Sequence, residues 1–294
     1  MVIVEILSGL GNQMFQYAAG LSLANRLNVP LLLDKSWFDD TSKHQTPRNF
    51  ELSNYNINLN FADSILIDND FRLKGGGIVQ RIRNKWNRTK PLYQQKIYQE
   101  AHFHYDSNFE RLSSPVMISG YWQSERYFLP VEDLVRKAFT LDVPSHLKHW
   151  VNSMQKGVSV SMHIRRGDMI NNPEVNRVHG HCNLEYYLRA IAYIQSRYTD
   201  VKYFIFSDDL EWCKANLPSE LDLVFVEGNS GDQAYWDIQL MRNCHHHIIA
   251  NSSFSWWGAW LNSSQGKTVI APVKWFAQSS HQTDDLIPSS WIRL

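Results

Sequence analysis

Residues 2–34 read VIVEILSGLGNQMFQYAAGLSLANRLNVPLLLD, and this stretch decides the class of fold. The apolar run Val2–Leu7 predicts a buried strand that breaks at the glycines after it. A helix then fits the apolar residues that share one face, and Val29–Leu33 predicts a second strand, ended by Asp34. Strand, helix and strand in this order form a βαβ unit, which requires a parallel sheet. The apolar face of the helix consists of Met14, Tyr17, Ala18, Leu21, Ala24 and Leu27.

The same alternation of strands and helices returns further along the chain, with an interruption near residues 140–157. We therefore predict an α/β protein of two Rossmann-like domains, over 1–150 and 151–294, and a length of 294 residues suits two such domains. Further strands are predicted at Val116–Ser119, Val158–Ile164, Tyr203–Phe206, Leu223–Val226, His247–Ala250 and Thr268–Ala271. Further helices are predicted at Val131–Phe139, Leu184–Tyr198, Glu211–Leu217, Ala234–Arg242 and Trp256–Leu261.

The bulk composition narrows the classes of function. The chain has 29 basic and 29 acidic residues. It lacks the basic excess of a typical nucleic-acid-binding protein, so no nucleic-acid partner is predicted. The three cysteines (Cys182, Cys213 and Cys244) are odd in number and widely spaced, which indicates free thiols in a reducing compartment. Neither a signal peptide nor a run of about 18 apolar residues is visible, which predicts a cytoplasmic protein.

Three loops each follow a predicted strand directly: Ser8–Gln13, His163–Asp168 and Asn251–Ser255. In doubly wound sheets ligands bind outside the carboxyl ends of the strands, so these loops are candidates for ligand binding. Gly9 and Gly11 in the first loop would let the N-terminus of a helix approach a phosphate. A plain tight turn explains the two glycines equally well, because the third glycine or the lysine of known phosphate-binding fingerprints is missing.

The second loop, His163-Ile164-Arg165-Arg166-Gly167-Asp168, predicts an anion clamp. Adjacent arginines at a strand end point to opposite sides, so one of them can bind a pyrophosphate through two parallel hydrogen bonds. The other can pair with Asp168 and hold the turn. The alternative is a solvated basic turn.

The third loop, Asn251-Ser252-Ser253-Phe254-Ser255, opens an apolar helix. Serines and unpaired amides at the start of a helix bind anions well, although serines are also ordinary helix caps. The tryptophans of this helix (Trp256, Trp257 and Trp260) are predicted to pack in the core. Asp208, at the end of another strand, is placed either to accept hydrogen bonds from a guanine or to cap a turn or helix.

No metal site is predicted. Asp68-Asn69-Asp70 matches the Asp-x-Asp pattern that binds Mg²⁺ or Mn²⁺ in one class of sugar transferase, but no strong strand precedes it. His245, His246 and His247 are consecutive, so neighbouring rings diverge. No cysteine or histidine pair with zinc spacing accompanies them.

Three motifs, in this order along the chain, resemble those of a known family. Gly9–Ala18 (GLGNQMFQYA) resembles the N-terminal signature of the α-1,2-fucosyltransferases, and His163–Asp168 (HIRRGD) resembles their His-x-Arg-Arg-x-Asp motif. Asn251–Leu261 (NSSFSWWGAWL) is similar to their third block, and Gly120–Glu125 (GYWQSE) also resembles a family segment. The resemblance covers nearly the whole chain. It points to the bacterial type, inverting GDP-fucose-dependent enzymes of glycosyltransferase family 11.

The resemblance implies a GT-B fold, with two Rossmann-like domains facing a cleft. The amino-terminal domain would bind the acceptor and the carboxyl-terminal domain GDP-fucose. It implies transfer of fucose, with inversion and without a metal or other cofactor, to the 2-hydroxyl of a terminal galactose in a bacterial glycan such as an O-antigen repeat unit. Arg165 would stabilise the leaving β-phosphate, with Asp168 as its support. Donor contacts are expected from Gly9, Gly11, Asn12, Gln13, His163, Arg165, Arg166, Asp208, Asn251, Ser252, Ser253 and Phe254.

Two points stay open at this stage. The first is the general base: Glu125 lies in a loop of the acceptor-side half, His102 and His104 are its rivals, and Asn12 could help to orient the acceptor hydroxyl. The second is the function itself. A fucosyltransferase with another acceptor linkage and a non-catalytic sugar- or nucleotide-binding protein remain as alternatives.

One segment has a strong charge bias. Arg72–Lys90 carries seven basic and no acidic residues, and Ile78, Val79, Ile82 and Trp86 fall on one helical face within it. This pattern predicts peripheral contact with the anionic inner face of a membrane that carries a lipid-linked acceptor. A solvated basic helix is the alternative.

Overall fold

The computed structural model describes residues 1–39, 47–72, 82, 85–87, 89–229, 231–277 and 282–294. The chain folds into two compact units. The first comprises Met1–Phe139 and Gln282–Leu286, and the second comprises Thr140–His281 and Ile287–Leu294. Each unit contains a sheet of parallel strands, which confirms the predicted α/β class.

The boundary between the units lies earlier than the predicted one at residue 150. Phe139 packs edge-on against Tyr17 of the first unit, with ring centroids 5.6 Å apart. The amide of Leu141, two residues later, donates to Gln239 Oε1 of the second unit at 3.0 Å. Position 150 lies inside the helix Lys148–Met154 of the second unit, so the chain continues there as one regular element.

The first unit contains a four-stranded sheet: β1 Val2–Glu5, β2 Leu31–Asp34, β3 Ile97–Gln99 and β4 Val116–Ser119. The order is β2-β1-β4-β3, and all pairs are parallel. Strands β1 and β4 are neighbours and pair at Val4 and Ile118. The loops that follow them therefore leave the same edge of the sheet side by side, and in open α/β sheets ligands bind outside the carboxyl ends of the strands.

Three α-helices of the first unit are described: α1 Leu10–Leu27, α2 Ser64–Leu66 and α3 Glu132–Phe139. Helix α1 begins at Leu10 with Gly9 as its N-cap and ends at Asn28, which is in the left-handed region with φ 52°. A π-helix, Ile67–Phe71, follows α2, and its Ile67 and Phe71 pack with Ile3 and Met117 on the sheet. The 3-10 turns are Ser36–Asp39, Leu52–Asn54, Leu92–Gln94, Ser107–Arg111, Glu125–Tyr127 and Leu129–Val131.

The carboxyl-terminal segment Gln282–Leu286 returns to the first unit through Asp285. The Asp285 carboxylate accepts from the amide of Tyr105 at 3.1 Å and pairs with Arg126 at 3.2 Å. Its backbone carbonyl accepts from the Ser124 hydroxyl at 2.8 Å. Three positions of the first unit therefore depend on one residue from the far end of the chain.

The second unit contains a six-stranded parallel sheet. In chain order its strands take the positions 3-2-1-4-5-6, which is the strand order of the Rossmann fold, and its switch point lies between β5 and β8. The strands pair at Val160 with His246 and at Met162 with Ile248 across that point. The strands are β5 Val158–Ile164, β6 Val201–Ser207, β7 Asp222–Phe225, β8 His246–Ile248, β9 Val269–Ala271 and β10 Ile292–Arg293.

Helices cover this sheet and bury its apolar residues. Helix Leu184–Gln195 packs Tyr186, Tyr187 and Ile191 into a core with Met162 and Ile205. The tryptophans of helix Ser253–Leu261 (Trp256, Trp257 and Trp260) are buried, as predicted. The α-helices are α4 Lys148–Met154, α5 Gly167–Asn171, α6 Pro173–His179, α7 Leu184–Gln195, α8 Leu210–Asn216, α9 Tyr235–Met241 and α10 Ser253–Leu261, with a 3-10 turn at each of Ser145–Leu147 and Gly231–Gln233.

Candidate active site

The arginine motif lies at the carboxyl end of β5, at the switch point of the second sheet. Arg166 is held on two sides: its Nε donates to Asp209 Oδ2 at 3.1 Å, and its guanidinium lies over the Trp212 ring at 3.9 Å. Asp209 in turn caps α8 by accepting from the Trp212 amide at 3.1 Å. Arg166 therefore has the structural part in the loop, and its partner is Asp209.

Asp208 anchors the backbone of the same loop. Its two carboxylate oxygens accept from the amides of Arg166 at 2.8 Å and of Gly167 at 3.0 Å. A Cβ at Gly167 would lie only 2.7 Å from Asp208 Oδ2, so only glycine permits this approach. The capping alternative for Asp208 is thus what the structure shows, and a guanine contact from Asp208 stays a prediction.

His163 is the buried member of the arginine motif. Burial, together with the nearby positive charge of Arg165, lowers the pKa of His163 to about 3, so the ring is neutral at physiological pH. Its ring packs on Phe254 of the third motif, with centroids 5.6 Å apart. The Tyr187 hydroxyl donates to its backbone carbonyl at 3.2 Å. The second and third motifs therefore meet at the switch point of the second sheet. This agrees with the prediction that was based on their common position directly after a strand.

The third motif provides a helix N-terminus beside the arginine loop. Ser252 caps α10 by accepting from the Phe254 amide at 3.3 Å, and Ser253 is the first residue of the helix. The first amides of a helix have no partner within it and carry the positive end of its dipole.

Asn251 has a structural role, and its predicted donor contact stays a prediction. Its side-chain amide donates to the carbonyls of His179, Gly180 and Trp275 at 3.0, 3.3 and 3.1 Å. These bonds tie the start of the third motif to two neighbouring loops.

The predicted glycine loop of the first unit is mostly helix. Because α1 begins at Leu10, Gly11 lies in its first turn, and the amide of Asn12 donates to Gly9 O at 2.9 Å. The amide of Asn12 is therefore engaged in the first turn of the helix, and a donor contact from Asn12 stays a prediction. Gly9 has extended backbone with φ −78°, whereas the preceding Ser8 has φ 69°. The predicted loop is mostly helix because α1 starts at Leu10, four residues before the apolar pattern begins at Met14.

Gln13 is occupied by structural contacts. Its Nε2 donates to the carbonyls of Ser8 and Asn49, each at 2.8 Å, and its Oε1 accepts from the amide of Glu51 at 2.9 Å. This side chain therefore fastens a neighbouring segment to the start of α1, and its predicted donor contact stays a prediction.

Asn12 joins the two loops that follow the neighbouring strands β1 and β4 of the first sheet. Its Oδ1 accepts from Gln123 Nε2 at 2.6 Å, and its Nδ2 donates to Ser8 Oγ at 2.9 Å. Gln123 belongs to the Gly120–Glu125 segment after β4, so the contact links the loops after β1 and β4. The loops after β1 and β4 in the first unit therefore carry neutral amides and a hydroxyl, whereas the loop after β5 in the second unit carries arginines.

The candidate bases differ in their surroundings. Glu125 is partly buried and begins the 3-10 turn Glu125–Tyr127, for which Ser124 is the N-cap. The rings of His102 and His104 are stacked, with centroids 3.3 Å apart and planes 2° apart. All three lie in the first unit, and the structure does not select among them.

Several functional candidates of the sequence lie outside what the structure describes. The side chain of Asp168 is one, although its backbone lies in α5. Within Arg72–Lys90 the structure describes only 72, 82, 85–87, 89 and 90, so the predicted membrane contact is not tested. Among described residues, no helix is long and apolar enough to cross a membrane.

No cluster of three or more histidine, cysteine, aspartate or glutamate side chains suited to a metal ion occurs in the described part of the chain. Asp68 of the Asp-x-Asp pattern lies in the π-helix, 3.8 Å from Arg72 in an ion pair. Arg72 also pairs with Asp34 at 2.7 Å. The three cysteines are buried free thiols.

Sequence reasoning missed the residues that hold the loops. Asp209 and Trp212 clamp Arg166, and Glu100 binds the turn after β4, accepting from the amides of Tyr121 at 2.6 Å and Trp122 at 3.0 Å. The only signal for Asp209 was the acidic pair at the end of β6, and β3 is too short to mark Glu100. Sequence reasoning also did not single out Asp237 as a buried titratable group. Burial raises the pKa of Asp237 to about 7, and Asn229 donates a hydrogen bond to it at 2.9 Å.

Comparison with known proteins places the chain in a family. The family model described as glycosyl transferase family 11 matches residues 1–294. An α-1,2-colitosyltransferase of Escherichia coli is 35% identical over 100% of this chain and 98% of its own length. The Escherichia coli O-antigen biosynthesis glycosyltransferase WbnK is 32% identical over 97% of this chain and 98% of its length. The crystal structure of NodZ α-1,6-fucosyltransferase soaked with GDP-fucose shares 17% identity, with a TM-score of 0.46 over 88% of this chain and 91% of that one. The chain therefore belongs to glycosyl transferase family 11 and is a glycosyltransferase.

Proposed function

We propose that the protein transfers a 6-deoxy sugar from its GDP-activated form to the 2-hydroxyl of a terminal galactose, with inversion at the anomeric carbon. The observation that carries the proposal is the arginine loop at the switch point of the second sheet, fastened by Asp208 and Asp209 beside the N-terminus of α10. This arrangement offers fixed positive charge where a diphosphate would bind.

The reaction separates charge at the leaving diphosphate. The acceptor oxygen forms a bond to the anomeric carbon, and the bond to the β-phosphate oxygen breaks, so GDP leaves with that electron pair. The proton of the acceptor hydroxyl passes to a base or to solvent. We assign to Arg165 the stabilisation of the β-phosphate, as the family resemblance implies. Arg166 contacts Asp209 and Trp212. The amides that open α10 would assist Arg165.

Fucose and colitose are the two donor sugars to test. The family resemblance favours GDP-fucose, whereas the 35% identical relative bears the name of a colitosyltransferase. Colitose differs from fucose by the loss of the 3-hydroxyl. A buried polar group that binds this hydroxyl would discriminate strongly against colitose, and an apolar contact would not. Fucose is our first choice of donor.

We further propose that no metal takes part. Arg165 and the start of α10 supply the positive charge that a divalent cation supplies in metal-dependent transferases. Inhibition by EDTA that Mg²⁺ or Mn²⁺ reverses would contradict this proposal and direct attention to Asp68 and Asp70.

The acceptor glycan is proposed to bind to the first unit, near the loops after β1 and β4. Glu125 is our candidate for the general base, with His102 and His104 as alternatives. The name of the second relative supports an O-antigen repeat unit as the natural acceptor.

One experiment tests the proposal. The full chain is incubated with GDP-fucose or GDP-colitose and with a panel of α- and β-galactosides, with and without EDTA. GDP release and the linkage of the product are then measured. A 1→2 linked product supports the proposal. Another linkage would retain the transferase and refute the acceptor position, and sugar binding without GDP release would favour the non-catalytic alternative.

A further inference from the structure

We propose that Glu100 is the positioning residue for the turn Gly120–Gln123, and that it thereby holds Gln123 against Asn12, where the acceptor glycan binds. The assignment of the ligand rests on the proposed function. The assignment of Glu100 to the turn rests on contacts within the first unit, and the two are separated in the test below.

Glu100 and the turn are packed as closely as the backbone allows. Glu100 directly follows β3, and its amide donates to Ser119 O at 2.8 Å, which extends the pairing of β3 with β4. Its carboxylate then accepts the amides of Tyr121 and Trp122, at 2.6 and 3.0 Å. A Cβ at Gly120 would lie 2.3 Å from Glu100 Cβ. The chain therefore passes directly over this side chain and can do so only as glycine.

The turn has a backbone conformation that requires support. Gly120 has φ 150° and Trp122 has φ 55°, a left-handed conformation that is uncommon for a bulky residue. The Trp122 side chain is fully buried, with ring centroids 5.4 Å from Phe109 and 5.3 Å from Tyr127. Aromatic packing fixes the tryptophan ring, and the Glu100 carboxylate fixes the amide of this strained residue and the amide before it.

The conformation of the turn determines where Gln123 points. Gln123 is 6% exposed, and its Nε2 donates to Asn12 Oδ1 at 2.6 Å. Its Oε1 is buried and has no hydrogen-bond partner among the described residues. A buried polar atom without a partner is uncommon in native proteins. A ligand rich in hydroxyl groups could supply that partner at the carboxyl ends of β1 and β4.

Glu100 also makes the turn sensitive to pH. Burial raises the pKa of Glu100 to about 7, opposed by the two amide hydrogen bonds and by His102. The other titratable groups that face it are Tyr121 and Tyr127, and burial raises the pKa of both. Because two amides need two acceptors, a protonated Glu100 holds the turn less well. The turn should therefore loosen as pH falls through about 7.

The test uses the full chain and the variants Glu100→Gln and Gly120→Ala. The glutamine variant keeps the shape but presents an N–H₂ group to one amide, and the alanine variant forces the turn away from Glu100. The control is Glu110→Gln, which removes an exposed carboxylate from the same segment. Two readouts are compared at pH 6, 7 and 8: hydrogen exchange at the amides of Tyr121 and Trp122, and KM for acceptor and for donor.

Both variants should increase exchange at the two amides at least ten-fold beyond the control and raise the acceptor KM about ten-fold, with donor KM changed less than two-fold. The wild-type acceptor KM should rise from pH 8 to pH 6, and that of Glu100→Gln should not. Unchanged exchange would overturn the positioning role, and equal changes in both KM values would overturn the link to the acceptor. If the wild type transfers no sugar, the proposed function fails, while the exchange data still decide whether Glu100 holds the turn.

Discussion

The two sheets end in loops of opposite character, although both loops lie at the carboxyl ends of parallel strands. In the second unit the loop after β5 is fastened by Asp208 and Asp209 and presents arginine. In the first unit the loop after β4 is fastened by Glu100 and presents the amide of Gln123. Carboxylates hold both loops, so the difference lies in what each loop presents. The same scaffold can thus serve an anion in one unit and a neutral, hydroxyl-rich ligand in the other.

The contrast between the two loops depends most on Arg165, which we assign as the positive charge that the loop after β5 supplies to the ligand. We expect Arg165→Ala to lower kcat by about 10²–10³, since removing one preorganised donor to a developing negative charge has an effect of this size. The measurement is GDP release at saturating donor and acceptor. Arg189→Ala removes an exposed arginine of the same unit and should leave kcat unchanged. Turnover of a folded Arg165→Ala protein within ten-fold of wild type would contradict the assignment.

Removal of the anchor below the arginine loop should have a smaller effect. In Asp208→Ala the amides of Arg166 and Gly167 lose their acceptors, and the loop is no longer held in place. We expect donor KM to rise about ten-fold and the free energy of unfolding to fall by about 1–2 kcal/mol. Acceptor KM should stay within two-fold. Glu211→Ala, at an exposed residue of the adjacent helix, is the control, and a larger change in acceptor KM than in donor KM would refute the division of tasks.

Acid should unfold the second unit first. The pKa of His163 is lowered to about 3, and burial lowers the pKa of His247 well below its usual value. Both rings are neutral when folded, whereas in the unfolded chain they take up protons below about pH 6.5. Stability is therefore present above pH 6.5 and falls toward pH 3, by up to about 1.4 kcal/mol per pH unit for each histidine.

The acid prediction is checked by urea unfolding at pH 7, 6 and 5. His163→Gln should reduce the slope of stability against pH, and His146→Gln, at an exposed histidine of the same unit, should not. Equal slopes for His163→Gln and wild type would show that burial of His163 does not control the acid response.

Of these substitutions, Gly9→Ala should have the smallest effect on activity and stability. The backbone at Gly9 is extended, and of the residues that the structure describes a Cβ there would meet only the Arg48 side chain, at 3.7 Å. Gly9→Ala should therefore change both KM values less than two-fold and the unfolding free energy by less than about 1 kcal/mol. A large rise in donor KM would restore Gly9 to the phosphate-binding role that the motif first indicated.

The sequence predicted the parts of the fold that long apolar patterns mark. The predicted bounds of β4 and β5 are the observed ones, α3 begins one residue later than predicted, and β1 ends two residues earlier. Strands β3 and β10 were missed because three and two residues show no alternation. Their existence depends on pairing with strands far away in the chain, which no local pattern records.

The site was predicted less completely than the fold. The motifs identified the loops, because arginines and serines after strands have a chemical meaning of their own. They did not identify which side chains are used up internally: Gln13 and Asn251 bind backbone carbonyls, and Asp209 takes Arg166. Such partners come from other parts of the chain. Glu100 could not be assigned for the same reason, since its partners are amides that follow another strand.

The return of Gln282–Leu286 to the first unit limits how the enzyme can be recombined with its relatives. A chimera that exchanges residues 1–139 alone would take Tyr105, Ser124 and Arg126 from one parent and leave their partner Asp285 from the other. An exchange intended to alter acceptor choice must therefore include this pentapeptide. The first unit is discontinuous in sequence, so a chimera with a single crossover point cannot transfer the whole unit.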